Sequence, residues 1–134
     1  MDKKHYRFFE IARNVSKRST HPRVFIGAIV VHKNTIIGEG ANLFKSHPIQ
    51  KKYNKFNPKM KENENHFIHA EISAIIHAGT TNLEGCFLYV YREDKKGKLA
   101  MCHPCPSCMA LIKATGIKKI YYTTNDGFCE ETII

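Results

Sequence analysis

Two short motifs constrain this chain more than any other feature of its 134 residues. His69-Ala70-Glu71 and Pro104-Cys105-Pro106-Ser107-Cys108 each fall at the start of a segment whose spacing predicts a helix, and a predicted strand lies between them. Such an arrangement brings two helix N-termini together beside the strand ends. A histidine, a carboxylate and two thiols then meet at one place.

The remaining elements follow from periodicity. Residues 5–15 place Phe8, Phe9, Ala12 and Val15 at helical spacing among polar residues, which predicts an amphipathic first helix ending near Ser19 to Pro22. Residues 24–31 are apolar and β-branched, His32-Lys33-Asn34 turns the chain, and residues 35–38 resume a strand, so a hairpin is expected. Residues 45–65 carry Pro48, Pro58 and the lysines Lys51, Lys52, Lys55, Lys59 and Lys61, and predict a long basic surface excursion.

A helix is expected from His66 to His77 or Ala78, with Ile72, Ile75 and Ile76 buried and Gly79 at its C-terminal cap. Residues 86–91 read as a strand in which Phe87, Tyr89 and Tyr91 share a face. Residues 105–115 read as a helix closed by Gly116, and residues 117–123 as a further strand. Residues 124–134 are expected to be a loop with a small edge strand at 132–134. Helices alternating with strands predict a three-layer α/β/α domain around a central mixed sheet, with residues 1–134 as one domain.

Composition narrows the class. The hydrophobic fraction is 43%, no apolar run approaches the roughly 20 residues that span a bilayer, and residues 1–10 lack the apolar stretch of a secretory signal. A cytoplasmic protein is expected. Five cysteines, an odd number, argue against a disulfide framework and for a metal role for the clustered ones. A formal charge of +9 favours an anionic partner, a nucleotide or a nucleic acid.

The chemistry follows from the donors. A helix N-terminus carries about half a positive charge, which favours thiolate there. Zinc takes imidazole and thiolate tetrahedrally, and three protein ligands leave the fourth position to water, as in catalytic sites. His69, Cys105 and Cys108 are the expected ligands of one zinc per chain. Bound water or hydroxide becomes available at a pKa of roughly 7, and Glu71 is placed to move its proton as general base, then acid.

On these motifs the chain resembles the cytidine and deoxycytidylate deaminase superfamily, which carries an H-x-E and P-C-x-x-C signature. The segments Gly38-Glu39-Gly40-Ala41-Asn42 and Thr115-Gly116-Ile117-Lys118-Lys119-Ile120 also resemble that family. The resemblance implies a cytidine deaminase-like fold and hydrolysis of an exocyclic amine. His at position 69, where free-cytidine deaminases usually carry Cys, leans towards a deoxycytidylate-type enzyme converting dCMP to dUMP. It also implies a homo-oligomer and substrate contacts at Asn42 and Ala70. For a phosphate, Arg23, Lys45, His47, Lys51 and Lys52 flank the expected site.

Other readings compete. An iron–sulfur site at Cys102, Cys105 and Cys108 lacks a fourth cysteine at suitable spacing. A thioredoxin-like pair at Cys105 and Cys108 leaves His69-Ala70-Glu71 unexplained. A structural zinc would need Cys102, His103 or His66 as fourth ligand and has no use for Glu71. The basic excursion also suits deamination within single-stranded DNA or transfer RNA, and, from a different class, a zinc-binding or nucleic-acid-binding module without turnover.

Overall fold

The apolar run before the first turn becomes β1 (Ile26–His32), the strand around which the layers assemble. The computed structural model describes residues 1–60 and 65–133; Lys61 of the basic excursion and Ile134 of the expected edge strand lie outside the described residues. β1 pairs antiparallel with β2 (Thr35–Ala41) on one side and with β3 (Cys86–Arg92) on the other. Lys33 and Asn34 join β1 to β2 with φ of 49° and 64°. Two successive left-handed residues match the right-handed twist of a two-residue hairpin, a conformation that Asn tolerates well.

Beyond β3 the sheet continues through β4 (Lys119–Thr124), parallel to β3, and β5 (Gly127–Thr132), antiparallel to β4, in the order β2-β1-β3-β4-β5. The parallel step is made by α4 (Pro106–Thr115), which Gly116 closes in a left-handed cap at φ 88°. The loop expected over residues 124–134 is thus mostly β5. Its apolar signal is weak because it is a partly exposed edge strand in which Phe128 and Cys129 are followed by Glu130 and Glu131.

Side-chain alternation sends the strands' residues to two cores. Leu88 and Val90 of β3 face α4 and α3 (Ala70–His77), together with Ala28, Val30 and Ile120. Phe87, Tyr89 and Tyr91 turn to the opposite face, where α1 (Lys3–Ser16) lays down Phe8, Phe9, Ala12 and Val15. The three-layer α/β/α architecture with a mixed sheet is the one predicted. Both helical layers sit close because glycine permits it: a Cβ at Gly27 would overlap the carbonyl oxygen of Ala12 in α1, and one at Gly40 the backbone nitrogen of Ala74 in α3.

The basic excursion differs from the expected loop. Residues 48–54 form α2 (Pro48–Asn54), started by Pro48 in its first turn and by His47, whose side chain accepts a hydrogen bond from the Ile49 amide. Only Ile49 and Tyr53 pack apolar surface against the α3 and α4 layer, while the buried positions Gln50 and Asn54 are polar. An apolar periodicity therefore hardly exists in this helix. Among the described residues, no helix is long and apolar enough to cross a membrane.

Candidate active site

α3 begins later than its sequence suggests, and the delay places His69. The Ile68 amide donates to the Lys45 carbonyl at 2.9 Å, and the Leu43 amide to the Ile68 carbonyl at 3.1 Å. These bonds hold the preceding residues extended, so helix geometry starts at Ala70 with His69 as the N-cap at φ −85° and ψ 155°. Its ring makes no capping bond, and its backbone amide donates to Gln50 Oε1 at 2.9 Å. α4 starts likewise: Cys105 is the N-cap, Pro106 opens the helix, and Cys108 lies one turn in on the same side.

The two starts converge. His69 Nδ1 lies 3.3 Å from Cys108 Sγ and 3.5 Å from Cys105 Sγ, and the ligand atoms of these three residues lie within 4.8 Å of one another. Zinc–nitrogen and zinc–sulfur bonds at tetrahedral angles separate N and S by about 3.5 Å, so the donor chemistry and the spacing both fit zinc. The fourth-ligand candidates of a structural site are otherwise engaged. Cys102 Sγ lies 3.0 Å from Thr123 Oγ1 and 3.4 Å from the Val90 carbonyl; Asn54 holds His66, and Glu131 holds His103.

Without metal the trio shares its protons unequally. The hydrogen bond from Cys108, opposed by burial and aided by His69, brings the Cys105 thiol down to about 3. Cys108 is driven far upward by that same bond and by burial. Burial works to lower the His69 pKa, but its hydrogen bond with Cys105 and the charges of Glu71 and Cys105 prevail and raise it. A divalent cation bound by these three side chains competes with their protons, so metal uptake is coupled to proton release.

Glu71 occupies the first turn of α3 and is 5% exposed. Burial raises its pKa, partly offset by His69. Its side chain helps line a cavity of about 400 Å³ that His69 and Cys105 also line. Asn42 is on the wall, but its amide is already used: Oδ1 accepts from the Ile26 amide at 2.9 Å and Nδ2 donates to the Val24 carbonyl at 2.8 Å. An amide has four bonding positions, so one N–H and one lone pair remain.

The other residues expected to contact substrate do not line this cavity. Ala70 is fully buried and contributes nothing to the cavity wall, and Arg23 is exposed outside it. Lys45 and His47 line a separate cavity of about 210 Å³ beside α3. Lys51 and Lys52 are exposed on α2. In their place the cavity has His21, Arg92 and His103, which the sequence reading missed. Arg92 had one usable signal: it ends a buried strand immediately before the segment that leads to the cysteines.

Sequence reasoning also missed the support behind His69. Gln50, fully buried, accepts from the His69 amide and donates to Asn54 Oδ1 at 2.8 Å, while Asn54 Nδ2 lies 2.8 Å from His66 Nδ1. The i, i+4 spacing of Gln50 and Asn54 was the available clue.

A mixed five-stranded sheet with a His-Cys-Cys group at two helix N-termini defines a cytidine deaminase-like fold. The family model described as the cytidine and deoxycytidylate deaminase zinc-binding region matches residues 2–124, and the chain belongs to that family of zinc-dependent hydrolytic deaminases. It is 32% identical over 128 residues to a probable deoxycytidylate deaminase of Caenorhabditis elegans, covering 92% of this chain and 58% of that one. It is also 32% identical over 115 residues to an uncharacterized deaminase of Aliivibrio fischeri, covering 86% of this chain and 69% of that one. The apo dCMP deaminase of cyanophage S-TIM5 superposes with a TM-score of 0.61 at 25% identity, covering 91% of this chain and 84% of that one. The chain thus spans little more than half the length of the nematode relative.

Proposed function

We propose that residues 1–134 act as one zinc-dependent deaminase domain that hydrolyses the exocyclic amine of a pyrimidine nucleotide, dCMP plus water giving dUMP plus ammonia. The observation that carries this reading is the approach of His69 Nδ1 to two cysteine sulfurs, at 3.3 and 3.5 Å, in a cavity wall shared with Glu71. His69, Cys105 and Cys108 would hold one zinc, which when bound makes hydroxide available near neutrality.

The chain's own residues do the rest. Glu71 takes the proton of the attacking water and delivers it to the ring nitrogen next to the reacting carbon. It then assists the amine to leave as ammonia. Burial raises its pKa, which brings its acid and base forms closer in energy near neutral pH and suits a group that must be both. Asn42, braced by the backbone of residues 24 and 26, offers its remaining N–H and lone pair to the substrate.

A second reading has one observation in its favour. Phe44 is 56% exposed and its ring lies 4.4 Å from that of Phe67, which lines the cavity; such a pair can stack a base of single-stranded DNA or RNA.

The test is ammonia release on dCMP, deoxycytidine, cytidylate, guanine and a cytosine-containing single-stranded oligonucleotide. Turnover of dCMP ahead of the others is expected, and the Glu71→Gln variant should lose roughly 10²- to 10⁴-fold while keeping its zinc. Turnover confined to the oligonucleotide would replace the first reading by the second.

A further inference from the structure

The cavity has a reacting end, lined by His69, Cys105 and Glu71, and a wall on which cationic side chains gather. Among the described residues, three basic side chains lie on that wall: His21, Arg92 and His103. They are not equivalent. His103 Nε2 lies 3.2 and 3.3 Å from the two Glu131 oxygens, so a carboxylate already faces it. His21 Nδ1 accepts from the backbone amides of Arg23 and Val24 at 3.1 and 3.0 Å, which leaves Nε2–H as the ring's free donor.

Arg92 differs from both. Among the described residues it has no carboxylate partner. Its two acidic neighbours in sequence are occupied: Glu93 takes Arg13 at 3.3 Å and the Tyr91 hydroxyl at 2.8 Å, and Asp94 accepts the amides of Lys96 and Lys98. Its backbone is held on both sides, since its amide donates to Thr123 Oγ1 at 3.1 Å and its carbonyl lies 3.3 Å from that hydroxyl. One guanidinium N–H is tethered to the Met101 carbonyl at 3.3 Å. The remaining N–H groups of a fixed, planar fork on a cavity wall are suited to a tetrahedral oxyanion.

We propose that Arg92 anchors the 5′-phosphate of the nucleotide, with His21 Nε2–H as second donor, and thereby sets a preference for nucleotide over nucleoside. The inference rests on the deaminase reading above and adds its phosphate subsite. Lys51, Lys52, Lys55 and Lys59 of the excursion do not line the cavity. Arg92 acts on affinity and orientation, and moves no proton.

The experiment compares kcat/KM on dCMP and deoxycytidine for the zinc-loaded wild type, Arg92→Gln, Arg92→Lys and His21→Gln. It is paired with calorimetric binding of the same two compounds to Glu71→Gln and to Glu71→Gln/Arg92→Gln. Zinc content and thermal melting establish that each variant is folded. In Arg92→Gln the dCMP-to-deoxycytidine ratio should fall roughly 10- to 100-fold, mostly through KM, as loss of a charge-assisted contact implies. Arg92→Lys should recover part of that ratio, and His21→Gln should lower it by less.

A wild-type preference for dCMP that survives Arg92→Gln overturns the inference and leaves the deaminase reading intact. Equal use of the two compounds by wild type overturns the phosphate subsite altogether. Should the wild type turn over neither, the functional reading fails, and the binding arm still decides the subsite. Turnover of the oligonucleotide alone also counts against Arg92 as a mononucleotide anchor.

Discussion

The two faces of the sheet solve different problems. Against α1 the core is aromatic: Phe8, Phe9 and Tyr89 pack together, Tyr89 and Tyr121 stack at 4.6 Å, and His5 stacks on Tyr121 at 4.4 Å. Its polar tips are paired in place, as with His5 Nδ1 and the Tyr89 hydroxyl at 2.6 Å. Against α3 and α4 the core is mostly aliphatic, and it has buried inside it Glu71, Gln50, Asn54 and Cys108, with His69 and Cys105 half-buried beside it. Buried polar groups cost free energy unless each has a partner. One face therefore sustains the fold while the other spends part of its stability on a site.

Removing a cysteine of the His-Cys-Cys group should separate the faces most sharply. Cys108→Ala is expected to take zinc from about one per chain to near none and to abolish turnover, while the aromatic face keeps its near-ultraviolet dichroism. Metal analysis with the spectrum checks this, and a variant that retains full zinc would remove Cys108 from the ligand set. The converse change is Phe9→Ala, at a residue 1% exposed in the α1 core. It should cost about 3–5 kcal/mol in denaturant unfolding and leave zinc stoichiometry in the folded fraction unchanged.

Smaller effects sharpen the comparison. Gln50→Ala leaves the half-buried His69 amide without its acceptor and should cost about 1–3 kcal/mol. Zinc affinity should weaken with it, because the N-cap that aims the imidazole loosens; unfolding and a zinc-chelator competition read the two effects. A stability loss with unchanged zinc affinity would show that the relay supports packing alone.

The smallest effect belongs to the α1 face. Burial, reinforced by Lys4, lowers the His5 pKa below its ordinary 6.5. The unfolded chain therefore binds the proton more readily, so the stability contributed by neutral His5 is complete above pH 6.5 and is lost as pH falls towards the lowered value. In saturating zinc, the unfolding midpoint of wild type should drop more between pH 7.5 and 5 than that of His5→Gln. Parallel curves for the two proteins would contradict this.

Much of the molecule was legible along the chain. Sequence pattern located α1, the β1–β2 hairpin, β3, α3, α4 and β4, because each has either a regularly spaced apolar face or, in the central strands, a continuous apolar run buried on both faces. It overlooked α2 and β5 for a common reason. α2 buries Gln50 and Asn54 in a polar relay, and β5 is an edge strand whose chain runs on into two glutamates, so neither has much apolar pattern to count. α3 was placed too early because its preceding residues are held by bonds to residues 43 and 45, which no local window contains.

The candidate site divides in the same way. His69, Glu71, Cys105 and Cys108 were readable because their spacing within each helix start is a local matter, governed by backbone geometry over three or four residues. Which basic residues face the cavity was not readable: Lys45 and His47 line a different cavity, while Arg92, His103 and His21 line this one. The sequence by itself determined the group of His69, Cys105 and Cys108 and the helices that present it. Only the tertiary structure decided the polar relay behind His69 and the cations on the cavity wall, because those depend on contacts between segments far apart in the chain, where no short-range periodicity acts.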